Sequence, residues 1–369
     1  MPVSIGVQWP GRDEALACKK GDIRLAFCPK CGFIWNASFD SGRLEYSKRY
    51  DNSLDYSPIF QKYAGELARR LIDSYDIRNK RIVELGSGKG HFLALLCELG
   101  NNAGTGFDPS FEGERIQSPA AERITFINDF YGEKYTNICG ELICSRHVLE
   151  HIPTPVDFIS MVRRTIGERQ DAVVYFEVPN VRLILEQLSV WDIIYEHCSY
   201  FGHESLGSVF ARSGFKILDL RDAYSAQFLS IEATLDPNRS QRVQQFGNLP
   251  ELTTLVARFA EKTSAKWKEW RSKLAEYKST CRRVAIWGAG AKTVSFVNML
   301  QITDLIPYAV DINPHKQGLF LAGTGQQIVA PEFLKEYRPE TVILMNSIYR
   351  PEVEAQLNEM RLRPELIGA

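Results

Sequence analysis

The stretch Val83-Glu84-Leu85-Gly86-Ser87-Gly88-Lys89-Gly90 constrains the fold of this chain more than any other. Its three glycines alternate between an apolar run, Arg81 to Leu85, that reads as a buried strand, and a helical pattern that follows. Backbone without side chains at such a junction lets a ligand approach closely. The stretch is not a P-loop, because Gly88-Lys89 is followed by glycine rather than Ser or Thr, and Val83 stands where the first P-loop glycine belongs. It is a weak match to G-x-G-x-x-G, since the third glycine comes one place early, and Glu84 ahead of the loop suits a cationic ligand better than a pyrophosphate. S-adenosylmethionine has such a cationic end, and Gly86, Gly88 and Gly90 are expected to cradle it. Asp108 and Pro109 close the next strand signal, where the Asp108 carboxylate can accept hydrogen bonds from both ribose hydroxyls. Asn128 and Asp129 follow the third strand signal, a position expected to face the adenine, and Arg146 and His147 at the end of the fourth complete the rim.

Around that loop, strand and helix signals alternate. Asn101–Asp108, Glu141–Ser145 and Ala172–Glu177 read as strands with helical segments between them, a βαβ series and hence a parallel sheet. Phe60, Tyr63, Leu67 and Leu71 recur at helical spacing between Tyr56 and Tyr75. Four parts are expected: a small N-terminal module of short strands and loops (1–55), the cofactor-binding domain (56–240), a charged connecting helix with apolar or aromatic residues every three or four positions (241–280), and a second nucleotide-fold-like domain (281–369). The last begins with a strand signal at Arg283–Trp287, continues through Gly288-Ala289-Gly290-Ala291-Lys292, and has another strand at Ile306–Asp311.

A length of 369 residues fits such a division, since it exceeds what one core usually organises. With a formal net charge of -1 and scattered basic residues, the chain has no field that would collect nucleic acid or an anionic membrane. No apolar run approaches a membrane span and the first residues lack a signal pattern, so the expectation is a cytoplasmic enzyme with a small-molecule substrate. The eight cysteines are dispersed, several of them in apolar stretches, and read as reduced thiols rather than a disulfide framework. The sequence is silent on oligomeric state.

The run Tyr195-Glu196-His197-Cys198-Ser199-Tyr200-Phe201 resembles the E-H-x-x-Y-F signature of sugar C-methyltransferases that act on deoxyhexose nucleotides in antibiotic pathways. The resemblance extends over nearly the whole chain, through Cys28-x-x-Cys31-Gly32, the glycine loop, Trp287–Lys292 and Val310–Gly318. It implies an α/β protein with a zinc-binding N-terminal module, a central Rossmann-like class I methyltransferase domain that binds S-adenosylmethionine, and a second Rossmann-like C-terminal domain that helps hold a nucleotide-linked keto-sugar. The implied enzyme removes a proton beside the ketone, stabilises the enolate, and lets the enolate carbon attack the sulfonium methyl. On this resemblance His197 is the base. Glu196 stabilises its charged form or binds substrate hydroxyls, Tyr195 donates to the enolate oxygen, and His151, in His147-Val-Leu-Glu-His151, is a second acid or base. Lys292, Asn313 and Lys316 supply donors suited to a diphosphate, beside a glycine loop that opens a helix and can present N–H groups to phosphate.

Two departures from the family pattern stand out. Tyr195 directly precedes Glu196, where relatives carry Y-H-E-H, and only Cys28 and Cys31 match the two cysteine pairs of the zinc module. A closed structural zinc site needs four ligands, so bound zinc and a remnant turn with free thiols both stand as readings. A methyltransferase acting on oxygen or nitrogen, and a catalytically silent homologue that binds ligand through both nucleotide folds, also remain open.

Overall fold

The computed structural model describes residues 1–44, 53–111, 118–236 and 246–369, so the expected boundary at 240/241 falls outside the described residues. In chain order the elements are α1 (Arg12–Leu16), β1 (Leu25–Phe27), β2 (Ile34–Asn36), α2 (Pro58–Tyr75), β3 (Arg81–Leu85), α3 (His91–Gly100), β4 (Ala103–Phe107), β5 (Ile124–Ile127), β6 (Leu142–Arg146), α4 (Pro155–Ile166), β7 (Val173–Pro179), α5 (Val181–Glu186), β8 (Ser199–Tyr200), α6 (His203–Arg212), β9 (Phe215–Ala223), β10 (Phe228–Leu235) and α7 (Leu249–Ser279). They continue with β11 (Val284–Trp287), α8 (Ala291–Met299), β12 (Tyr308–Val310), β13 (Gln327–Val329), α9 (Leu334–Tyr337), β14 (Thr341–Leu344), α10 (Arg350–Glu359) and β15 (Glu365–Gly368).

The large sheet has seven strands in the order β5-β4-β3-β6-β7-β10-β9, parallel from β5 to β7, with β10 antiparallel to both neighbours. Its inner strands are apolar on both faces because both are covered. Ile82 of β3 and Tyr175 of β7 pack with α2 and α3, whereas Val83 and Phe176, one residue on, pack with α4 and α6. Helix α2 starts where Ser57 accepts a hydrogen bond from the Phe60 amide at 3.3 Å with Pro58 at the first turn, and it stops at Asp76 in the left-handed region. The strand order reverses between β3 and β6, and a crevice opens at their carboxyl ends, the place where open parallel sheets bind ligands.

The C-terminal sheet is fully parallel, ordered β13-β12-β11-β14-β15. Helix α7 leads into it. Its buried residues Leu252, Leu255 and Phe259 near one end, and Trp270, Leu274 and Tyr277 near the other, follow three- and four-residue spacing. The N-terminal segment is stitched into both halves. Strand β2 pairs with β8, Trp9 bridges to Phe320, and Ile5 and Ile34 share a core with α7 and the C-terminal sheet. Strands of two or three residues bury too little surface to stand alone. Among the described residues, no helix is long and apolar enough to cross a membrane.

Candidate active site

Beyond Leu85 the chain turns through Gly86, Gly88 and Gly90 at φ +71°, +54° and +83° into α3, backbone that glycine enters without strain. A Cβ on Gly86 would come within 2.2 Å of Val148 Cγ2, while one on Gly88 would meet nothing within 4 Å. Asp108, after β4, reaches back to this loop. Its Oδ2 accepts from the Gly88 amide at 2.8 Å, and its Oδ1 accepts from the Ser110 amide at 2.7 Å and the Ser110 hydroxyl at 2.6 Å. A carboxylate has about four lone-pair sites, so acceptor capacity remains on Oδ2. Pro109 and Asp129 line the same cleft. The Asp129 carboxylate is held by the Phe130 amide and the Tyr135 hydroxyl, at 2.8 and 2.7 Å, and Phe130, 60% exposed, gives this wall a flat apolar ring. Asn128 does not join them. Its side chain donates to the Phe111 carbonyl at 3.0 Å and lies outside the cleft lining, so the expectation that it faces the adenine is corrected: it anchors the turn behind.

Glu84 is 3% exposed and its Oε2 has no hydrogen-bond partner. Burial pushes its carboxyl up to about 8, against the pull of Arg146. A buried acid in this state is completed by a positively charged ligand group. Arg146 is committed elsewhere. Its guanidinium pairs with the fully buried Glu177 at 2.9 Å and lies 4.5 Å from the centre of the Phe92 ring. His147, at φ +56°, has Nε2 3.3 Å from Glu177 and Nδ1 3.7 Å from Glu150, ionic contacts not aligned as hydrogen bonds. Burial lowers its pKa, but the two carboxylates outweigh burial and lift it to about 9. Asp55, from the segment before α2, pairs with His91 Nδ1 at 2.8 Å over the same wall.

His151 and His197 face each other across the cleft floor, ring centres 4.9 Å apart and nearly perpendicular. Burial, and then the neighbouring His151, lowers His197 to about 3, so its imidazole is neutral and its buried Nδ1 has no hydrogen-bond partner. Glu150, 2% exposed and without a hydrogen bond to either oxygen, completes a group whose donor atoms lie within 4.8 Å of one another. Donors on a single zinc at about 2.1 Å sit roughly 3.5 Å apart. The 4.8 Å bound admits that distance, so the group has the donor types of a metal site, and no ion is assigned to it.

Tyr195 and Glu196 are corrected by the structure. The Tyr195 hydroxyl accepts from the Asp40 amide at 3.0 Å, and the ring is 1% exposed against Phe39. Glu196 Oε1 accepts from the amides of Ile5 and Gly6. Neither lines the cleft; both fasten the N-terminal segment, the chain bending at Tyr195 and Glu196 before it reaches His197. Cys28 and Cys31 lie on the turn between β1 and β2. The amides of Lys30 and Cys31 and the Cys31 thiol lower the Cys28 pKa. Among the described residues no third ligand-bearing side chain converges on them, so the donors on the page do not fit a closed zinc site.

The opposite wall repeats the first loop's arrangement. Gly288 turns at φ +100°, and Asp311 after β12 accepts from the Ala289 amide on Oδ2 and the Asn313 amide on Oδ1, each at 2.9 Å. Lys316, 3% exposed, has Nζ 3.7 Å from Asp311, and Lys292 pairs with Asp192 at 3.0 Å. Asn313 accepts from the His315 amide at 2.9 Å, and all three predicted donors line the cleft. Paired side-chain amides of Gln227 and Asn346, at 3.2 and 2.8 Å, and the hydroxyls of Tyr224 and Tyr349, at 3.0 Å, join the two walls. The cavity between them holds about 1040 Å³. Sequence reasoning missed Glu150, the Asp55–His91 pair and these joining residues; only Glu150 carried a signal, its place between His147 and His151.

Residues 59–220 match the family model described as a methyltransferase domain, and residues 242–364 match the C-methyltransferase C-terminal domain. The C-methyltransferase NovU of Streptomyces niveus is 24% identical over 300 residues, covering 74% of this chain and 67% of that protein. Two solved structures are similar to 48% of the chain. They are the 1,6-didemethyltoxoflavin-N1-methyltransferase of Burkholderia thailandensis (13% identity, TM-score 0.35, 81% of that chain) and human N-acetylserotonin methyltransferase (15% identity, TM-score 0.37, 55% of that chain). These two likenesses are too loose to bear on function. With one matched domain around the first glycine loop and the other around the second, the chain is an S-adenosylmethionine-dependent methyltransferase carrying the C-terminal domain of C-methyltransferases.

Proposed function

We propose that this methyltransferase alkylates a carbon beside the ketone of a nucleotide-linked deoxy keto-sugar. The observation that carries the reading is the single cleft of about 1040 Å³ with a glycine loop and partner acid on each wall and two imidazoles on its floor. At about 1040 Å³ the cleft stands at the top of the roughly 300–1,000 Å³ range of ligand pockets, which favours a large occupant spanning both walls. Gly86, Gly88 and Gly90 with Asp108 would hold S-adenosylmethionine, the orphaned Glu84 would answer its ammonium, and Asp129 with Phe130 would border the adenine. Bound there, the cofactor supplies an electrophilic methyl group. Gly288–Lys292, Asn313 and Lys316 on the other wall suit the nucleotide of the substrate.

His197, neutral in the buried floor, accepts the proton on the carbon next to the ketone, and His151 beside it donates a hydrogen bond to the oxygen of the enolate that forms. The match to a C-methyltransferase C-terminal domain favours carbon over oxygen or nitrogen as acceptor. The test is exchange of the substrate hydrogen in deuterium oxide without cofactor, using TDP- and UDP-linked 4-keto-6-deoxyhexoses. Exchange by the wild type and its loss in His197→Asn support the reading. Methyl transfer with no exchange would point to an oxygen or nitrogen acceptor, and binding without either would point to a silent homologue.

A further inference from the structure

Glu150 lies on the single turn Leu149–His151 between β6 and α4, in a floor where a lone ionised carboxylate is costly. Neither of its oxygens has a hydrogen bond. The groups that face it are imidazoles: His147 at 3.7 Å, itself held by Glu177, and His151 and His197, whose nitrogens lie within 4.8 Å. Arg146, the other nearby cation, is bound to Glu177, and Cys198 meets only the Glu150 carbonyl, at 3.4 Å. A buried acid kept without hydrogen bonds calls for an explanation beyond packing.

We propose that Glu150 is a positioning residue: its carboxylate is the counter-charge for the imidazolium that forms on the His151–His197 pair during enolisation. The inference rests on the enolate reaction proposed above. In that step the C–H bond beside the ketone breaks, its electron pair moves into the enolate, and the proton binds an imidazole nitrogen. Glu150 stays ionised throughout. A new positive charge thus appears in a water-poor floor, where it is unfavourable unless a fixed negative charge stands close by. His147, already positive between Glu150 and Glu177, keeps the carboxylate aimed at the pair without neutralising both neighbours at once. Separations of up to 4.8 Å suit this role, since charge–charge attraction falls only as the inverse of distance.

The test uses Glu150→Gln, which keeps the shape and removes the charge, with Glu150→Asp as the charge-preserving control. The full chain has six histidines, few enough for histidine-selective isotope labelling, and His151→Asn and His197→Asn assign the pair. In Glu150→Gln the first protonation of the pair moves at least one pH unit lower than in wild type, and in Glu150→Asp it stays close to wild type. With a keto-sugar nucleotide, Glu150→Gln lowers kcat on the order of 10²-fold and shifts the acid limb of the pH–rate profile downward, while affinity for S-adenosylhomocysteine holds. An unchanged protonation midpoint overturns the proposal, as does a loss confined to thermal stability and KM. Activity lost to EDTA and regained with a divalent cation also overturns it, because the group would then be a metal site. If wild type exchanges no substrate hydrogen, the enolate reading fails, and the midpoints still decide the charge coupling of Glu150.

Discussion

Replacing Glu84 by Gln should make the ligand-free protein more stable at neutral pH while impairing cofactor binding. In the folded chain this carboxyl titrates at about 8, because it is buried without a partner on Oε2, against 4.5 when unburied. Between those values the folded state holds a proton that the unfolded state has released, so stability is greatest below 4.5 and falls as pH rises toward 8. Each pH unit in that window is worth 1.36 kcal/mol, which makes the loss about 3 kcal/mol by pH 7 and at most about 5 kcal/mol overall. Gln cannot ionise and escapes this loss. Thermal or urea unfolding of both proteins, without ligand, should therefore show a stability difference that widens by about 3 kcal/mol between pH 4.5 and 7 and levels off above 8. The same ionisation favours a ligand ammonium, so affinity for S-adenosylhomocysteine should rise from pH 6 to 8 in the wild type and stay flat in the Gln variant. A difference that does not change with pH would refute the reasoning, since Glu84 would then be ionised throughout and already satisfied.

Gly86→Ala should cost about 1–3 kcal/mol and abolish S-adenosylhomocysteine binding by calorimetry, because the added methyl meets Val148 at 2.2 Å from a φ of +71°; Gly88→Ala, with open space, should lose less on both counts. Tyr195→Phe should lower unfolding free energy by about 1 kcal/mol and leave kcat within about twofold of wild type, since its hydroxyl serves the Asp40 amide. A large fall in kcat at unchanged stability would restore Tyr195 to the catalytic group. Glu196→Gln should likewise loosen the N-terminal segment, visible as faster amide exchange at Ile5 and Gly6, with methyl transfer retained.

The parts of the site legible in the sequence are those built from neighbours in the chain. The Glu84–Gly90 loop, Asp108 and the Gly288 loop each follow directly from a strand that the apolar run announces, so the backbone that presents them is local. Tyr195 and Glu196 were misread for the opposite reason. They sit beside His197 in sequence, but their partners, Asp40, Ile5 and Gly6, lie about 150 to 190 residues away, and only the folded N-terminal segment reveals which side each residue faces. Asn128 and Asp129 show the same ambiguity one residue apart, since the chain bends at both just after the strand ends at Ile127 and sends their side chains to different partners. Glu150 stood in a run already singled out for its histidines, but its meaning depends on His197, brought beside it by the pairing of β8 with β2 and the packing of that strip under the cleft. The joining contacts Gln227–Asn346 and Tyr224–Tyr349 link the two halves and have no local signature.

The most direct test of the account is to incubate the wild-type enzyme with ¹³C-methyl S-adenosylmethionine and a TDP-linked 4-keto-6-deoxyhexose, then trace the label by NMR. The account predicts a new methyl bonded to the carbon adjacent to the ketone, with the hydrogen formerly there lost to solvent. A labelled methyl on oxygen or nitrogen, or no transfer to any nucleotide-linked keto-sugar, would contradict it.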